Sequence, residues 1–404
     1  MFKYNNIKYE SIVSFLIKLS ILVSLFFPFE IKKGSYNDIF ILNNFVVSLI
    51  FIFCNFSKSN KRDKNVNSMF LVIYSILILI YNILFFIYNL YYHAYFIEQV
   101  NKTISFIYLI VLIKNIDNNF IKKHRIIEFL ICSIVLTSIL SIISFILGVD
   151  AITIKNFNIS IRMRGMFGDD RLTWIFGHKS SYGLLLLLFL GIMIKYRNCF
   201  KNKVIFFLSV ALNSVTIIFT SSSTAIALMV LVIMCAILAN YNFKKRYYLI
   251  IILLPMFLIL FYYVSIFVYQ YVSENRDLSN MGMRTYIYQA ADYYINLYPN
   301  GIGKEFGDFE FSAGGMIVNN LHNIFFNEAI RFSIPVGITY FIIFIWITIY
   351  SISKNNKLFS LSIWISCFVL FFMDYALRTD LLSLFIFLVY LLFFNRDMDN
   401  TIKI

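Results

Sequence analysis

Two histidines and a handful of arginines are the residues in this chain with chemistry to offer. His178 and His322, with Arg162, Arg164, Arg171, Arg276 and Arg284, stand in polar stretches of a sequence otherwise made of long apolar runs. A guanidinium carries a permanent charge and a planar fork of donors matched to phosphate oxygens. An imidazole is the commonest side chain for taking a proton near neutral pH. Together they suit a site that holds an anion and deprotonates a hydroxyl beside it. The longest polar stretch, 270–323, carries in order Arg276, Arg284, the turn Pro299-Asn300-Gly301-Ile302-Gly303 and His322-Asn323. Connections of that length are usually functional.

The elements that must position these residues are helices in a membrane. Of 404 residues, 60% are hydrophobic and only 14% charged, with a mean hydropathy of +0.78. A soluble domain, about 45–50% apolar, is excluded. A hydrocarbon core about 30 Å thick needs roughly 20 apolar residues per helix, and such runs recur from end to end. The first has no small-residue cleavage site and is followed at once by another span, so it reads as a retained helix and not a signal peptide. The formal charge of +14 lies in short clusters between spans and not in one surface stripe, which argues against nucleic acid.

Those clusters orient the chain. Lys58-Lys61-Arg62-Lys64, Lys114 with Lys122-Lys123-Arg125, Lys195-Arg197-Lys201-Lys203, Lys244-Lys245-Arg246 and Lys354-Lys357 belong on the cytoplasmic side. This predicts about twelve spans, near 11–29, 38–56, 68–90, 95–113, 126–147, 180–196, 204–219, 223–240, 247–268, 324–350, 358–373 and 381–394, with both termini cytoplasmic. The fourth is interrupted by Glu98 and Lys102. The long hydrophilic loops, 148–179 and 270–323, then face outward, and both carry basic residues that the topology rule does not explain. Phosphate binding explains Arg164 and Arg284; Arg171, Arg276 and Lys304 read as solvated charges or anchors to anionic lipid.

Metal sites are poorly supported. The first outer loop, Glu30-Ile31-Lys32-Lys33-Gly34-Ser35-Tyr36-Asn37-Asp38, holds no paired acids. Asp169-Asp170 reads as a turn or as an ion-pair partner for Arg162, Arg164 or Arg171. Cys54, Cys132, Cys199, Cys235 and Cys367 all fall in or beside apolar segments, which implies neither a disulfide framework nor a zinc site. Of the 28 tyrosines, many mark span ends as an interfacial belt. Tyr286, Tyr288, Tyr293 and Tyr294 lie inside the second loop, where stacking on sugar rings is an alternative to packing.

The order of the polar motifs resembles that of bacterial O-antigen polymerases and O-antigen ligases. Arg162-Met163-Arg164-Gly165-Met166-Phe167-Gly168 followed by Phe176-Gly177-His178-Lys179-Ser180-Ser181-Tyr182-Gly183 resembles the family's middle motif, without its Pro-Asn after the histidine. Thr220-Ser221-Ser222-Ser223-Thr224-Ala225 resembles its Ser-Arg-Thr-Ala hairpin, lacking the arginine. Gly282-Met283-Arg284, the Gly301-Ile302-Gly303 turn, His322-Asn323 with Glu328, and Ile334-Pro335-Val336-Gly337 follow in the family's sequence, although Arg331 stands where a small residue is usual. The resemblance spans roughly 162–350.

The resemblance implies an all-α, GT-C-like polytopic membrane protein of the bacterial inner membrane. It implies a glycosyltransferase that extends glycan on a polyprenyl pyrophosphate carrier at the outer face, without metal or other cofactor. Donor and acceptor are both lipid-linked oligosaccharides, and a flippase and a chain-length regulator are the expected partners. On this basis His322 is the expected general base, with Arg284 and Arg164, aided by Arg162, binding the donor pyrophosphate. Ligation of finished glycan to a surface acceptor is the nearer alternative, and a flippase of lipid-linked oligosaccharide the more distant one, since few ionisable residues lie mid-span.

Overall fold

The structure, a computed structural model, describes residues 2–26, 37–56, 68–89, 96–149, 151–154, 159–162, 171–176, 178–200, 202–240, 284–303, 309–318, 320–374 and 376–395, with 255, 262, 263 and 266. The expected span 247–268 therefore lies almost wholly outside the described residues. So do Arg164, Asp169, Asp170, Arg276 and Lys304.

The helices are α1 (Phe2–Phe26), α2 (Asn37–Phe56), α3 (Ser68–Asn89), α4 (Phe96–Asn115), α5 (Asn118–Lys123), α6 (Ile126–Ile146), α7 (Lys179–Lys195), α8 (Lys203–Phe219), α9 (Ser223–Asn240), α10 (Arg284–Leu297), α11 (Ile324–Phe332), α12 (Ile334–Lys354), α13 (Lys357–Met373) and α14 (Thr379–Val389). Four of the described helices are long and apolar enough to cross a membrane: Tyr9–Phe26, Ser68–Tyr88, Ile126–Ile146 and Ile334–Lys354. Shorter apolar helices cover Asn43–Cys54, Lys203–Phe219, Ser223–Ala239, Lys357–Met373 and Leu381–Phe394. The chain is an integral membrane protein, and its predominantly helical build matches the expected class.

Two compact units divide it. One comprises 1–82, 95–221 and 377–401; the other comprises 83–94, 222–376 and 402–404. In the first, α7 is buried without a break from Ser180 to Met193, as a helix apolar on every face should be. Small polar groups tie it to its neighbours: Tyr182 Oη lies 3.0 Å from Ser141 Oγ of α6, and Asn213 Nδ2 of α8 donates to the Leu186 carbonyl at 3.0 Å. Such bonds are retained in apolar surroundings because the alternative is an unpaired polar group. The polar interruption of α4 is resolved the same way. Lys102, buried, pairs with Glu98 at 3.2 Å, and Thr379 donates to Glu98 at 2.7 Å.

In the second unit, α9 packs on α13, α11 on α12, and α10 on both α11 and a small hairpin. The expected single span 324–350 is in fact two helices, α11 and α12, parted at Ser333 with φ 154°. Pro335 is the cause: it supplies no N–H and its ring would clash with the carbonyl four residues back in a continuous helix. Ser333 caps the new start, accepting from Val336 N. Gly337 lets the two helices close up, since a Cβ there would sit 2.6 Å from Ala329 Cβ.

Two short hairpins accompany the helices among the described residues. β1 (Ala151–Ile154) pairs antiparallel with β2 (Ile159–Arg162), and β3 (Phe311–Ala313) pairs with β4 (Met316–Val318). Gly314 and Gly315 turn the second hairpin with φ of 58° and 82°, the left-handed pair that a two-residue β-turn requires.

Candidate functional site

Three side chains of the second unit converge on the C-terminal end of α13. A helix end exposes carbonyls without intrahelical partners, and here protein groups meet them. Arg284 Nε donates to the Met373 carbonyl at 2.9 Å, and Tyr288 Oη donates to the Phe372 carbonyl. The two residues are four apart at the start of α10, hence on one face of it. His322 Nδ1 lies 3.1 Å from Oδ1 of Asp374, the residue that ends α13.

A folded platform holds α10 in place. Ile287, Ala290 and Ala291 line one stripe of the helix and pack against Phe311 and Ala313 of the β3–β4 hairpin, with Leu321, Ile302 and Ile330 closing the cluster. Tyr294 belongs to this core, edge-on to Phe309 and Phe311, and its hydroxyl accepts from Ser312 N at 3.2 Å. Tyr286 lies under Gly314, where a Cβ would come within 2.5 Å of its ring. Of the four loop tyrosines, Tyr286 and Tyr294 are therefore packing residues and Tyr288 anchors to α13. Tyr293 alone of these four is exposed, at 61%.

His322 is held in the left-handed region at φ 47°, a conformation that a non-glycine residue adopts only where its surroundings impose it. Three asparagines do so. Asn320 Oδ1 accepts from His322 N at 2.9 Å, Asn327 Oδ1 accepts from Leu321 N at 2.9 Å, and Asn323 Oδ1 caps α11 by accepting from Phe325 N and Phe326 N. The backbone so turned delivers the imidazole to Asp374. The His322 side chain is 32% exposed, whereas Asp374 is 8% exposed behind it. The ring is thus partly accessible while bound to a buried carboxylate.

The electrostatics are asymmetric. Asp374 adds a negative charge to the negative end of α13, which is unfavourable by itself, and Arg284 bonded one residue away opposes it. Tyr288 feels both charges. Burial raises its phenol above the usual range, Arg284 opposes that shift and Asp374 adds to it, so the phenol remains a protonated donor. Among the described residues Arg284 hydrogen-bonds only through Nε, which leaves its two terminal nitrogens as the fork for an anion.

The glycine turn does different work. Gly301, at φ 87°, passes so close to the end of α11 that a Cβ would lie 2.7 Å from the Phe332 carbonyl carbon and 2.9 Å from the Arg331 oxygen. Ile302 N donates to Ile330 O at 2.7 Å and Ile334 N to Pro299 O at 3.2 Å. The turn clasps the C-terminus of α11, the opposite end from His322. Its place in the Arg284, glycine-turn, His322 series is therefore architectural.

The other candidate residues lie in the first unit. Arg162 closes β2, where its backbone faces Ala151. His178 precedes α7, its carbonyl accepting from Tyr182 N. The residue that sequence reasoning passed over is Asp374. A signal existed, because it is the only acid between Lys357 and Arg378 and sits where an apolar span ends, and acids in such positions are functional candidates.

Residues 207–341 match a protein family described as O-Antigen ligase. The matched segment runs from α8 into α12 and includes Arg284, the glycine turn and His322, in agreement with the resemblance carried by the motif order. No curated protein matches the chain.

Proposed function

We propose that this chain, whose residues 207–341 match a family described as O-Antigen ligase, polymerises lipid-linked oligosaccharide repeat units at the outer face of the bacterial inner membrane. The observation that carries this reading is the meeting of Arg284 and the His322–Asp374 pair at the end of α13. An anion-binding fork and a carboxylate-backed base on one helix end are what glycosyl transfer from a diphosphate requires.

In this reading the growing glycan is the donor, linked through C1 of its reducing-end sugar to polyprenyl pyrophosphate. Arg284 takes the pyrophosphate oxygens, with Arg164 and Arg162 of the loop 148–179 adding positive charge. Asp374 accepts from Nδ1–H of His322, so Nε2 carries the lone pair. The hydroxyl oxygen of the next lipid-linked repeat bonds to C1 and its proton passes to Nε2. The bond from C1 to the phosphate oxygen breaks, and its electron pair leaves on polyprenyl pyrophosphate. Asp374 steadies the imidazolium without taking the proton. The arginines supply the charge that a metal would otherwise bring, so no metal enters the reading. About twelve GT-C-like spans with both termini cytoplasmic complete it, with the loop 270–323 as the catalytic face and a flippase and chain-length regulator as pathway partners.

Ligation is the second reading, favoured by the description of the matched family. It uses the same donor and the same chemistry and differs only in acceptor. Polymerisation asks less of the protein, since donor and acceptor share one kind of lipid-pyrophosphate head. A deletion strain that accumulates single lipid-linked repeats supports polymerisation; one that accumulates full-length lipid-linked chains makes the protein a ligase. Unchanged glycan in that strain, or full product from normally expressed His322→Ala, overturns transfer altogether.

A further inference from the structure

An apolar groove runs along α13 and ends at the candidate site. Its volume is about 430 Å³, and Leu361, Trp364, Ile365, Phe368, Phe372 and Met373 contribute to its lining. Leu361, Ile365, Phe368 and Phe372 recur at the spacing of one helix face, so the groove follows the helix for about 17 Å. Leu361, Ile365 and Phe372 are 43%, 40% and 37% exposed, whereas Trp364 forms a buried floor. At Phe372 and Met373 the character changes abruptly. Their carbonyls receive Tyr288 and Arg284, and the next residue is Asp374 with His322 on it.

We infer that this groove seats the first isoprene units of the polyprenyl chain of the substrate whose pyrophosphate Arg284 binds. The inference rests on the proposed glycosyl transfer and names where the carrier lies. Charge complementarity selects the occupant. A ligand that fits must be a long apolar chain bearing its anion at the end nearest Arg284, and the groove's apolar lining leads straight to that cation. Phe368, over the buried Trp364 floor, offers a flat, polarisable face to a branched, unsaturated chain. A seated chain also fixes the pyrophosphate against Arg284, so that apolar binding energy contributes to alignment of the reacting carbon.

The test is labelling of the full-length protein in vesicles of phosphatidylethanolamine and phosphatidylglycerol. Two probes carry the same photoreactive group in the tail: undecaprenyl pyrophosphate and phosphatidylglycerol. The inference expects saturable labelling of the peptide containing 361–373 by the isoprenyl probe alone. Ile365→Trp, an exposed position where a larger ring fills the groove, should weaken that labelling about tenfold, the cost of displacing a few methyl and methylene groups from apolar contact. Ile338→Trp, on the exposed face of α12 at 54%, should leave it unchanged. Equal labelling by both probes makes α13 an ordinary lipid-facing surface and overturns the inference, as does Ile365→Trp labelling like the parent protein. Labelling of the groove in a protein that forms no glycan sustains the groove and counts against the transfer reading instead.

Discussion

His322 and Asp374 stand 52 residues apart in the chain, and their side chains meet at 3.1 Å, Nδ1 to Oδ1. The carboxylate is buried and the ring is partly open, so an effect of Asp374 on a bound substrate runs through His322 in this reading. Asp374→Asn keeps the shape and removes the carboxylate charge beside the ring. A positioned base contributes about 10²–10⁴-fold to rate, and Asp374→Asn is expected to lose kcat toward the lower end of that range with little change in KM. Single-turnover glycan extension measures it. Equal rates for Asp374→Asn and the parent would remove Asp374 from the mechanism; a loss matched by a fall in Tm would make its role structural.

Arg284 does two things with one guanidinium, and Arg284→Lys separates them. Lysine keeps a positive charge but has neither the Nε donor that reaches the Met373 carbonyl nor a planar fork. Arg284→Lys is expected to raise KM for the pyrophosphate donor by about tenfold or more, since a charge-assisted hydrogen bond contributes about 1.5–3 kcal/mol. Arg284→Ala should abolish extension. Because the guanidinium supplies the charge, chelator should leave the parent rate unaltered. Activity lost in chelator and restored by a divalent ion would show that the arginine reading is wrong.

Tyr288 provides a pH signature. Burial raises its phenol above the ordinary tyrosine value of about 10, so the folded protein holds that proton more tightly than the unfolded chain does. The sign follows from linkage. The contribution to stability is complete below pH 10 and is lost as pH climbs through 10 toward the raised value. Tyr288→Phe removes both the titration and the bond to the Phe372 carbonyl, at a cost of about 1 kcal/mol near neutrality. Thermal unfolding of parent and Tyr288→Phe across this range should therefore converge at high pH. A constant gap between the two curves would contradict the assignment.

Much of the helical frame was legible because membrane-length apolar runs are a signal of length and not of fine pattern. The break at Ser333 was hidden for the same reason, since hydropathy continues through Ile334 to Tyr350. Pro335 was its visible mark. Arg284 and His322 could be picked out by residue type, and the structure brings both to the end of α13. The partnership with Asp374 could not be read, because a contact between a loop and the end of a distant helix leaves no local pattern. Gly301-Ile302-Gly303 was visible as a motif but its purpose was not, because the turn's demand is steric, set by the backbone of Arg331 and Phe332.

That steric demand can be separated from conformational cost, because two glycines share a similar backbone and differ in surroundings. Gly301 and Gly315 have φ of 87° and 82°, yet a Cβ at Gly315 meets nothing within 4 Å, while at Gly301 it meets backbone atoms of α11 at 2.7 and 2.9 Å. Gly315→Ala should therefore lose only the left-handed penalty, of order 1 kcal/mol. Gly301→Ala adds a clash with main-chain atoms that have no rotamer to move to, and should cost about 3 kcal/mol or more. The turn braces the end of α11 remote from His322, so Gly301→Ala should lower Tm well before it changes KM of the protein that remains folded. Unfolding followed by tryptophan fluorescence, with activity normalised to folded protein, distinguishes the two. Equal destabilisation by the two substitutions would mean that the clasp on α11 contributes little.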